Sequence, residues 1–355
     1  MHIDDLDTPS LLLDIDKVQK NISTMMGLIA GTGVSLRPHF KTPKCPQVAK
    51  MQLDAGAIGI TVAKLGEAEV LADAGLGPIL MANQVVGKTK IDRLMALLAR
   101  GVDITTAVES DFNVDELVAG AKRSGQRPAA VIEVDGGMRR CGTASPAESV
   151  RLARRMVDEG IDYRGVMGYE GHMYGQPEQG PREELIHGSL GVVNDHVEAL
   201  AEAGLAPKIV STSGTASVLL ASRKHWVTEL QAGTYVFHDL HTEDFIPGLF
   251  ESALTLLMTV ISVKERYAVG DAGAKSLTND TGPSFSVDGT VKVARLSEEH
   301  CTLTGEGVAK LHPGQRFEVI PSHGDTTLNQ HDVYFVRRGD EIIDTWPILA
   351  ARKFR

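Results

Sequence analysis

At 355 residues the chain is too long for one small core and fits two domains, one of them of barrel size. Its 43% hydrophobic and 23% charged residues mark a globular protein, and 36 glycines with only 5% aromatics suit α/β packing, where small residues let helices sit close on a sheet. A formal net charge of −10 argues against a nucleic-acid partner, because phosphate backbones need a basic surface.

The acidic opening Met1-His2-Ile3-Asp4-Asp5 lacks the basic and apolar regions of a signal peptide. The longest apolar run, 253–263, is broken by Thr and too short for a bilayer, so no membrane association is expected. Cys45, Cys141 and Cys301 lie far apart with no C-x-x-C pair, which points to a reducing compartment. A cytoplasmic protein is the expectation.

In chain order, the run 8–14 reads as an extra strand able to join a later domain. From 34 to 237 short β-type runs alternate with amphipathic stretches. The β-type runs are 34–36, 59–63, 78–83, 103–108, 129–134, 163–169, 208–212 and 229–237. Helical patterns fill the gaps at 45–55, 65–74, 90–100, 115–123, 146–159, 182–203 and 215–221. Several stop at glycine (Gly56, Gly75, Gly101, Gly160, Gly204), the residue that tolerates a left-handed C-cap. An open doubly wound sheet also gives this alternation; the count of eight strands favours a (β/α)8 barrel over 15–248.

After residue 250 the rhythm changes. Runs 253–263, 267–269, 291–294, 315–320, 333–337 and 341–346 read as strands without intervening helices, and 277–289 reads as a loop rich in Ser, Thr, Asn, Asp and Gly. Residues 249–355, with 1–14, therefore form a mostly β domain.

Four constellations could carry chemistry. Arg37-Pro38-His39-Phe40-Lys41-Thr42-Pro43-Lys44 follows the first barrel strand, at the barrel face where active sites are built. A lysine there becomes a Schiff-base nucleophile if neighbouring cations such as Arg37, His39 and Lys44, or desolvation, depress its pKa; the alternative is a solvated basic loop. Asp135-Gly136-Gly137-Met138-Arg139-Arg140-Cys141-Gly142 ends the fifth strand, where glycines admit a ligand close to the backbone and an arginine can donate to an oxyanion. Taken alone it is also an ordinary strand-to-helix turn.

Ser211-Thr212-Ser213-Gly214-Thr215 follows strand seven, and Gly233-Thr234-Tyr235 lies inside the predicted strand eight. Barrels commonly bind phosphate with the loops after these two strands. Finally, His323 and Asp325 within Pro321-Ser322-His323-Gly324-Asp325 are two apart, so in an extended segment both side chains leave one face and could chelate an ion. An imidazole with a carboxylate suits Mn²⁺, Mg²⁺ or Co²⁺ rather than a closed zinc site.

As an ordered set these motifs resemble a known family. Arg-Pro-His-x-Lys-Thr, then Asp-x-Gly-x-x-Arg-x-Gly, Gly-Thr-Tyr with Asp239 four beyond Tyr235, Ser-Glu-Glu-His (297–300) and Pro-Ser-His-x-Asp look like the D-threonine aldolase and D-serine dehydratase group of alanine-racemase-like pyridoxal-phosphate enzymes. The likeness runs from Asp7-Thr8-Pro9 to the last motif.

The resemblance implies a barrel that binds pyridoxal 5′-phosphate, a β domain carrying a divalent metal (manganese first), and a homodimer whose subunits jointly frame the site. It makes Lys41 the lysine that carries the cofactor and sets Arg140 near the phenolate oxygen and Tyr169 beside the ring. It assigns the phosphate to Ser213, Gly214, Thr215, Gly233 and Thr234, with Tyr235 in the same motif, and the metal to His323 and Asp325. Two departures stand out. The family's Lys-Thr-His-Lys is Lys41-Thr42-Pro43-Lys44 here, which removes a titratable group beside the lysine. His172, in Tyr169-Glu170-Gly171-His172, has no clear family counterpart; it is a candidate catalytic base or a hydrogen-bonded strand-end histidine.

In the resemblance, dehydratases carry His-x-Cys at the metal segment, and Asp325 is instead a hard oxygen donor as in the aldolases. The implied reaction is retro-aldol cleavage of a D-3-hydroxy amino acid, D-threonine foremost, to glycine and an aldehyde. Cleavage of 3-hydroxyaspartate to glyoxylate, or dehydration of D-serine or 3-hydroxyaspartate, are the alternatives. A non-catalytic cofactor carrier would lack the β domain, and a racemase would need a second base, for which Tyr267 and Tyr334 are the only tyrosines in that domain.

Overall fold

The computed structural model describes every residue from Met1 to Arg355. The chain divides into two units: Met26–Lys41 with Ala49–Gly233 and Lys353–Arg355, and Met1–Met25 with Thr42–Val48 and Thr234–Arg352. The first strand in the chain, β1 (Ser10–Asp14), belongs to the second unit.

The first unit is a parallel barrel. Its strands are β2 (Ser35–Leu36), β3 (Ile60–Val62), β4 (Ile79–Gln84), β5 (Ile104–Val108), β6 (Ala129–Val134), β7 (Asp162–Gly168), β8 (Ile209–Thr212) and β9 (Glu229–Leu230). They pair in the order β2-β9-β8-β7-β6-β5-β4-β3. The last gap closes just past β2, where Phe40 N–H donates to the Thr61 carbonyl at 2.7 Å and Thr61 N–H to the Pro38 carbonyl at 2.9 Å. Strands β5 and β6 are buried at every position, as continuous runs of small and branched residues should be when both faces are covered. Leu80, Ala107, Val131 and Met167, one from each of four adjacent strands, pack together inside the ring. Each large side chain so buried contributes roughly 1.5–3 kcal/mol of apolar transfer.

Helices return the chain between strands, and their ends follow the sequence signals. Ser145 caps Pro146–Asp158 by accepting from Glu148 N–H at 3.3 Å, and Asp111–Ser124 stops at Gly125 with φ of 72°. Strand eight is shorter than expected. It ends at Leu230, and Thr234–Val236 form a 3-10 turn, so Gly233-Thr234-Tyr235 is not inside a strand. Gly233 brings no side chain to a pleated surface, which weakens strand continuation there.

The second unit is built on a nine-stranded sheet. After β1 come β10 (Leu254–Val263), β11 (Ala268–Gly270), β12 (Phe285–Ser286), β13 (Lys292–Leu296), β14 (Cys301–Thr304), β15 (Arg316–Ile320), β16 (Val333–Arg338) and β17 (Glu341–Pro347). The order is β11-β14-β13-β12-β15-β10-β1-β16-β17, and β10 also pairs β11, which closes six of these strands into a ring. The opening strand does join this domain: β1 runs antiparallel to β10 and parallel to β16. Its Leu11, Leu12 and Leu13 are fully buried, and Leu12 packs with Leu6, Leu257 and Ile342. The short strands β12 and β14 escaped the sequence pattern; β12 lies within the polar stretch expected to be loop. No helix is long and apolar enough to cross a membrane.

Candidate active site

Tyr169 leaves the barrel directly after β7, and the side chains of interest in the first unit gather around its ring. Lys41 Nζ, on the segment after β2, lies 6.0 Å from the ring centroid, and Arg140 Cζ, on the loop after β6, lies 5.8 Å from it. The ring rests against glycine. A Cβ on Gly214 would stand 3.1 Å from Tyr169 Cε2, and one on Gly171 would stand 2.5 Å from Cε1. A side chain at Gly171 would displace the ring, and one at Gly214 would press it back by a few tenths of an ångström.

The loop bearing Arg140 is shaped by carboxylates. Asp135 Oδ1 accepts Gly137 N–H at 3.0 Å and Arg139 N–H at 2.9 Å, which holds Arg139 at a φ of 56°; Glu109 accepts Gly142 N–H. Arg140 itself reaches Glu133 Oε1 at 3.5 Å. Glu133 is buried in β6 and accepts Gln84 Nε2 at 2.5 Å. Burial pushes its pKa up, against the opposing pull of Gln84 and Arg140. Sequence reasoning passed over Glu133; a lone acid inside Val131-Ile132-Glu133-Val134 was the available signal.

After β8 the chain turns through Ser213, at a φ of 76°, into the short 3-10 segment Thr215–Ser217. Gly214 N–H donates to Ser217 Oγ at 3.1 Å, and the hydroxyls of Ser213 and Ser217 lie 3.0 Å apart. Gln231, just past β9, donates its N–H to the Thr212 carbonyl at 3.0 Å, which brings the chain leading to Gly233 beside this turn. Next to Tyr169, Glu170 is wholly buried. His172 sits in the 3-10 turn Gly171–Gly175, with Cε1 3.6 Å from where a Gly137 Cβ would be; its Nδ1 is buried without a hydrogen-bond partner.

The cations around Lys41 are not arranged as the sequence reading supposed. Arg37 is buried and forms a two-pronged pair with Glu229 of β9, Nε to Oε1 and Nη2 to Oε2, each 2.9 Å. Its charge is thus balanced inside the barrel wall rather than presented to the lysine. In the second unit, Lys44 Nζ reaches the Ala350 carbonyl at 3.4 Å, and the Pro43 carbonyl accepts the hydroxyl of buried Tyr334 at 2.9 Å. Tyr334 is therefore committed to holding the Pro43 segment. Tyr235 is also buried, its ring 5.7 Å from that of Phe250.

Also in the second unit, His323 is extended, but Asp325 lies in the first turn of the short helix Gly324–Leu328, so the segment is not extended as expected. The break comes at Gly324, whose N–H donates to Asp239 Oδ2 at 2.7 Å. His323 Nδ1 pairs with Asp280 Oδ2 at 2.8 Å, which leaves Nε2 as the nitrogen able to meet a ligand. Burial opposes a charge on His323, yet the carboxylates of Asp325, Asp280 and Asp239 outweigh it and raise its pKa. The His241 ring lies 6.0 Å from that of His323.

Residues 13–241 match the family described as the alanine racemase N-terminal domain, and residues 253–337 match a putative serine dehydratase domain. The chain belongs to the alanine-racemase-like family. Within it, the 3-hydroxy-D-aspartate aldolase of Paracoccus denitrificans (strain Pd 1222) is 32% identical over 366 residues, covering 99% of this chain and 94% of the relative. The D-threonine aldolase of an Arthrobacter species is 33% identical over 360 residues, covering 97% and 93%. The crystal structure of D-threonine aldolase from Filomicrobium marinum superposes with a TM-score of 0.93 at 32% identity, covering 98% of this chain and 96% of that one. The fold and the family membership read from the sequence are thus both found.

The residues present fit the cofactor of such an enzyme. A primary amine, a guanidinium and an aromatic ring meet at one end of the barrel, beside a buried hydroxyl-rich turn on whose Gly214 the ring rests. No three His, Cys, Asp or Glu side chains converge on one point, so His323 and Asp325 would leave most positions of a divalent ion to water or substrate.

Proposed function

We propose that this chain is a pyridoxal-phosphate- and divalent-metal-dependent lyase that cleaves a D-configured 3-hydroxy amino acid between Cα and Cβ, giving glycine and an aldehyde. The observation that carries this reading is the Tyr169 ring at the barrel mouth, with Lys41 Nζ at 6.0 Å and Arg140 Cζ at 5.8 Å. The aldolases that align over nearly the whole chain support it.

Lys41 is the residue that would hold the cofactor, and Arg140 would donate to its ring oxygen while itself steadied by Glu133. Tyr169 would pack on the ring. Ser213, Gly214, Thr215, Gly233 and Thr234, with the backbone of Tyr235, would take the phosphate through N–H and hydroxyl donors. The bound cofactor supplies an electron sink for the pair released when the Cα–Cβ bond breaks.

His323 and Asp325 would hold the metal, manganese in our reading, which would supply Lewis-acid polarisation of the substrate 3-hydroxyl. His172, in the turn that follows Tyr169, is the residue we assign to receive the hydroxyl proton. Asp325 in place of a thiolate donor favours manganese over zinc and cleavage over dehydration. The match of 253–337 to a putative serine dehydratase domain keeps dehydration as the second reading. We further propose a cytoplasmic homodimer.

The deciding experiment gives the purified protein pyridoxal phosphate, Mn²⁺ and D-threonine, with L-threonine, D-serine and 3-hydroxyaspartate in parallel. Glycine and acetaldehyde from the D-isomer alone establish the aldolase. Glycine and glyoxylate from 3-hydroxyaspartate in preference would reassign the side-chain specificity. A 2-oxo acid with ammonia would overturn cleavage in favour of dehydration.

A further inference from the structure

Glu170 carries a carboxyl group into a fully enclosed position, and the reaction proposed above gives it no task. It follows Tyr169 at the end of β7, and the two residues meet the same turn. Tyr169 lays its ring on Gly214. Glu170 Oε1 accepts Thr212 Oγ1 at 3.2 Å, and the Ser213 backbone and the Ser217 hydroxyl also face the carboxyl. The turn from Thr212 to Ser217 is thus gripped at its start, its middle and its end.

The turn needs that grip. Ser213 holds a φ of 76°, a left-handed conformation that a residue with a side chain adopts only when its surroundings impose it. The contacts inside the turn, Gly214 N–H to Ser217 Oγ and Ser213 Oγ to Ser217 Oγ, fix its two arms to each other but not to the barrel. Glu170 ties both arms to β7. Its second oxygen, Oε2, is buried with no partner. A buried carboxylate half-satisfied in this way is costly, so burial pushes the group towards its neutral form, with a pKa of about 7. Burial thus works against a full negative charge beside a site meant for an anion.

We propose that Glu170 is a positioning residue for the cofactor phosphate: it holds the Thr212–Ser217 turn in the conformation that receives the anion, without touching the cofactor. The inference rests on the reading of Lys41 and this turn as the pyridoxal-phosphate site. It makes a distinction that a general packing role does not. Losing Glu170 should matter to a ligand with a phosphate and be nearly silent for the same ring without one.

The test titrates the cofactor-free protein with pyridoxal phosphate and, separately, with pyridoxal, following the absorbance of the lysine-bound ring and the quenching of protein fluorescence. Glu170→Gln keeps the accepting oxygen and puts a neutral donor at Oε2, so both affinities should stay within about twofold of the parent. Glu170→Ala should bind pyridoxal phosphate roughly tenfold more weakly and pyridoxal unchanged. Thr212→Val, which removes one donor at nearly constant volume, should give the same selective loss at about threefold and serves if Glu170→Ala does not fold. Equal losses for both ligands, or none for either, would overturn the positioning role while leaving the cofactor assignment standing. A parent protein that binds neither ligand would overturn both.

Discussion

The ammonium of Lys41 stands 6.0 Å from the centroid of the Tyr169 ring. The two residues lie at the ends of β2 and β7, which are separated in the barrel wall by β8 and β9, so only ring curvature can bring them to one place. An amine so placed beside an aromatic face is where a planar carbonyl cofactor can be both bonded and stacked. Lys41→Ala should therefore abolish the visible-edge absorbance of protein reconstituted with pyridoxal phosphate and leave nothing for borohydride to fix. A coloured, reducible adduct that survives the substitution would remove Lys41 from the site.

Arg37 was legible as a cation near Lys41, but not as half of an ion pair, because its partner Glu229 is nearly two hundred positions away in the chain. Both side chains are buried and each uses two atoms on the other. Glu229→Gln or Arg37→Met would strand a charge or a donor fork in the barrel wall, costing about 3–5 kcal/mol of stability. Urea unfolding should show it as a lower midpoint with an unchanged slope. A loss below about 1 kcal/mol would mean that solvent reaches the pair.

What the sequence carried and what it did not divide along one line. Local patterns were readable: eight strand runs alternating with seven helical stretches, several stopped by glycine, the strand run 8–14, and the motifs that brought the family resemblance. Contacts set by tertiary closure were not. Nothing in Leu277-Thr278-Asn279-Asp280 marks Asp280 as the partner of His323, and Glu170 looks like any polar residue at a strand end. The short strand β12 hides in a polar loop because its two residues are held by pairing with β13 and β15, not by hydrophobic alternation. Strand eight was overextended because Val236 and Phe237 are apolar for the core of the other unit, not for the barrel wall.

His323 and Asp325 should carry the metal dependence. Calorimetric titration with Mn²⁺ should detect binding to the parent protein and none to His323→Ala or Asp325→Ala. Asp280 acts one step out: by accepting from Nδ1 it selects the tautomer that leaves Nε2 for the ion. Asp280→Asn should weaken Mn²⁺ on the order of 10–100-fold while cofactor absorbance stays constant. Chelator should abolish turnover, and added Mn²⁺ should restore it. Turnover indifferent to chelator would take the metal out of the reaction.

The enclosed carboxyl of Glu170 also makes a prediction about stability and pH. Burial lifts its pKa to about 7, against the hydrogen bonds that pull it down, whereas in the unfolded chain it titrates in the ordinary range of about 4.3. A folded-state pKa above the unfolded one means that the native state binds the proton more tightly. The resulting stabilisation is full below about pH 4.3 and is lost as pH rises to about 7, by up to roughly 4 kcal/mol. Exposed acids such as Asp111, held down to about 2 by Arg151 and Arg155, act in the opposite sense at lower pH, so the total curve is not diagnostic. The comparison with Glu170→Gln is, because that variant lacks only this titration. Urea midpoints of the two proteins should separate between pH 5 and pH 8, with the variant gaining on the parent as pH rises. Parallel midpoints across that window would mean that Glu170 is ionised throughout, and that a charge is tolerated beside the turn.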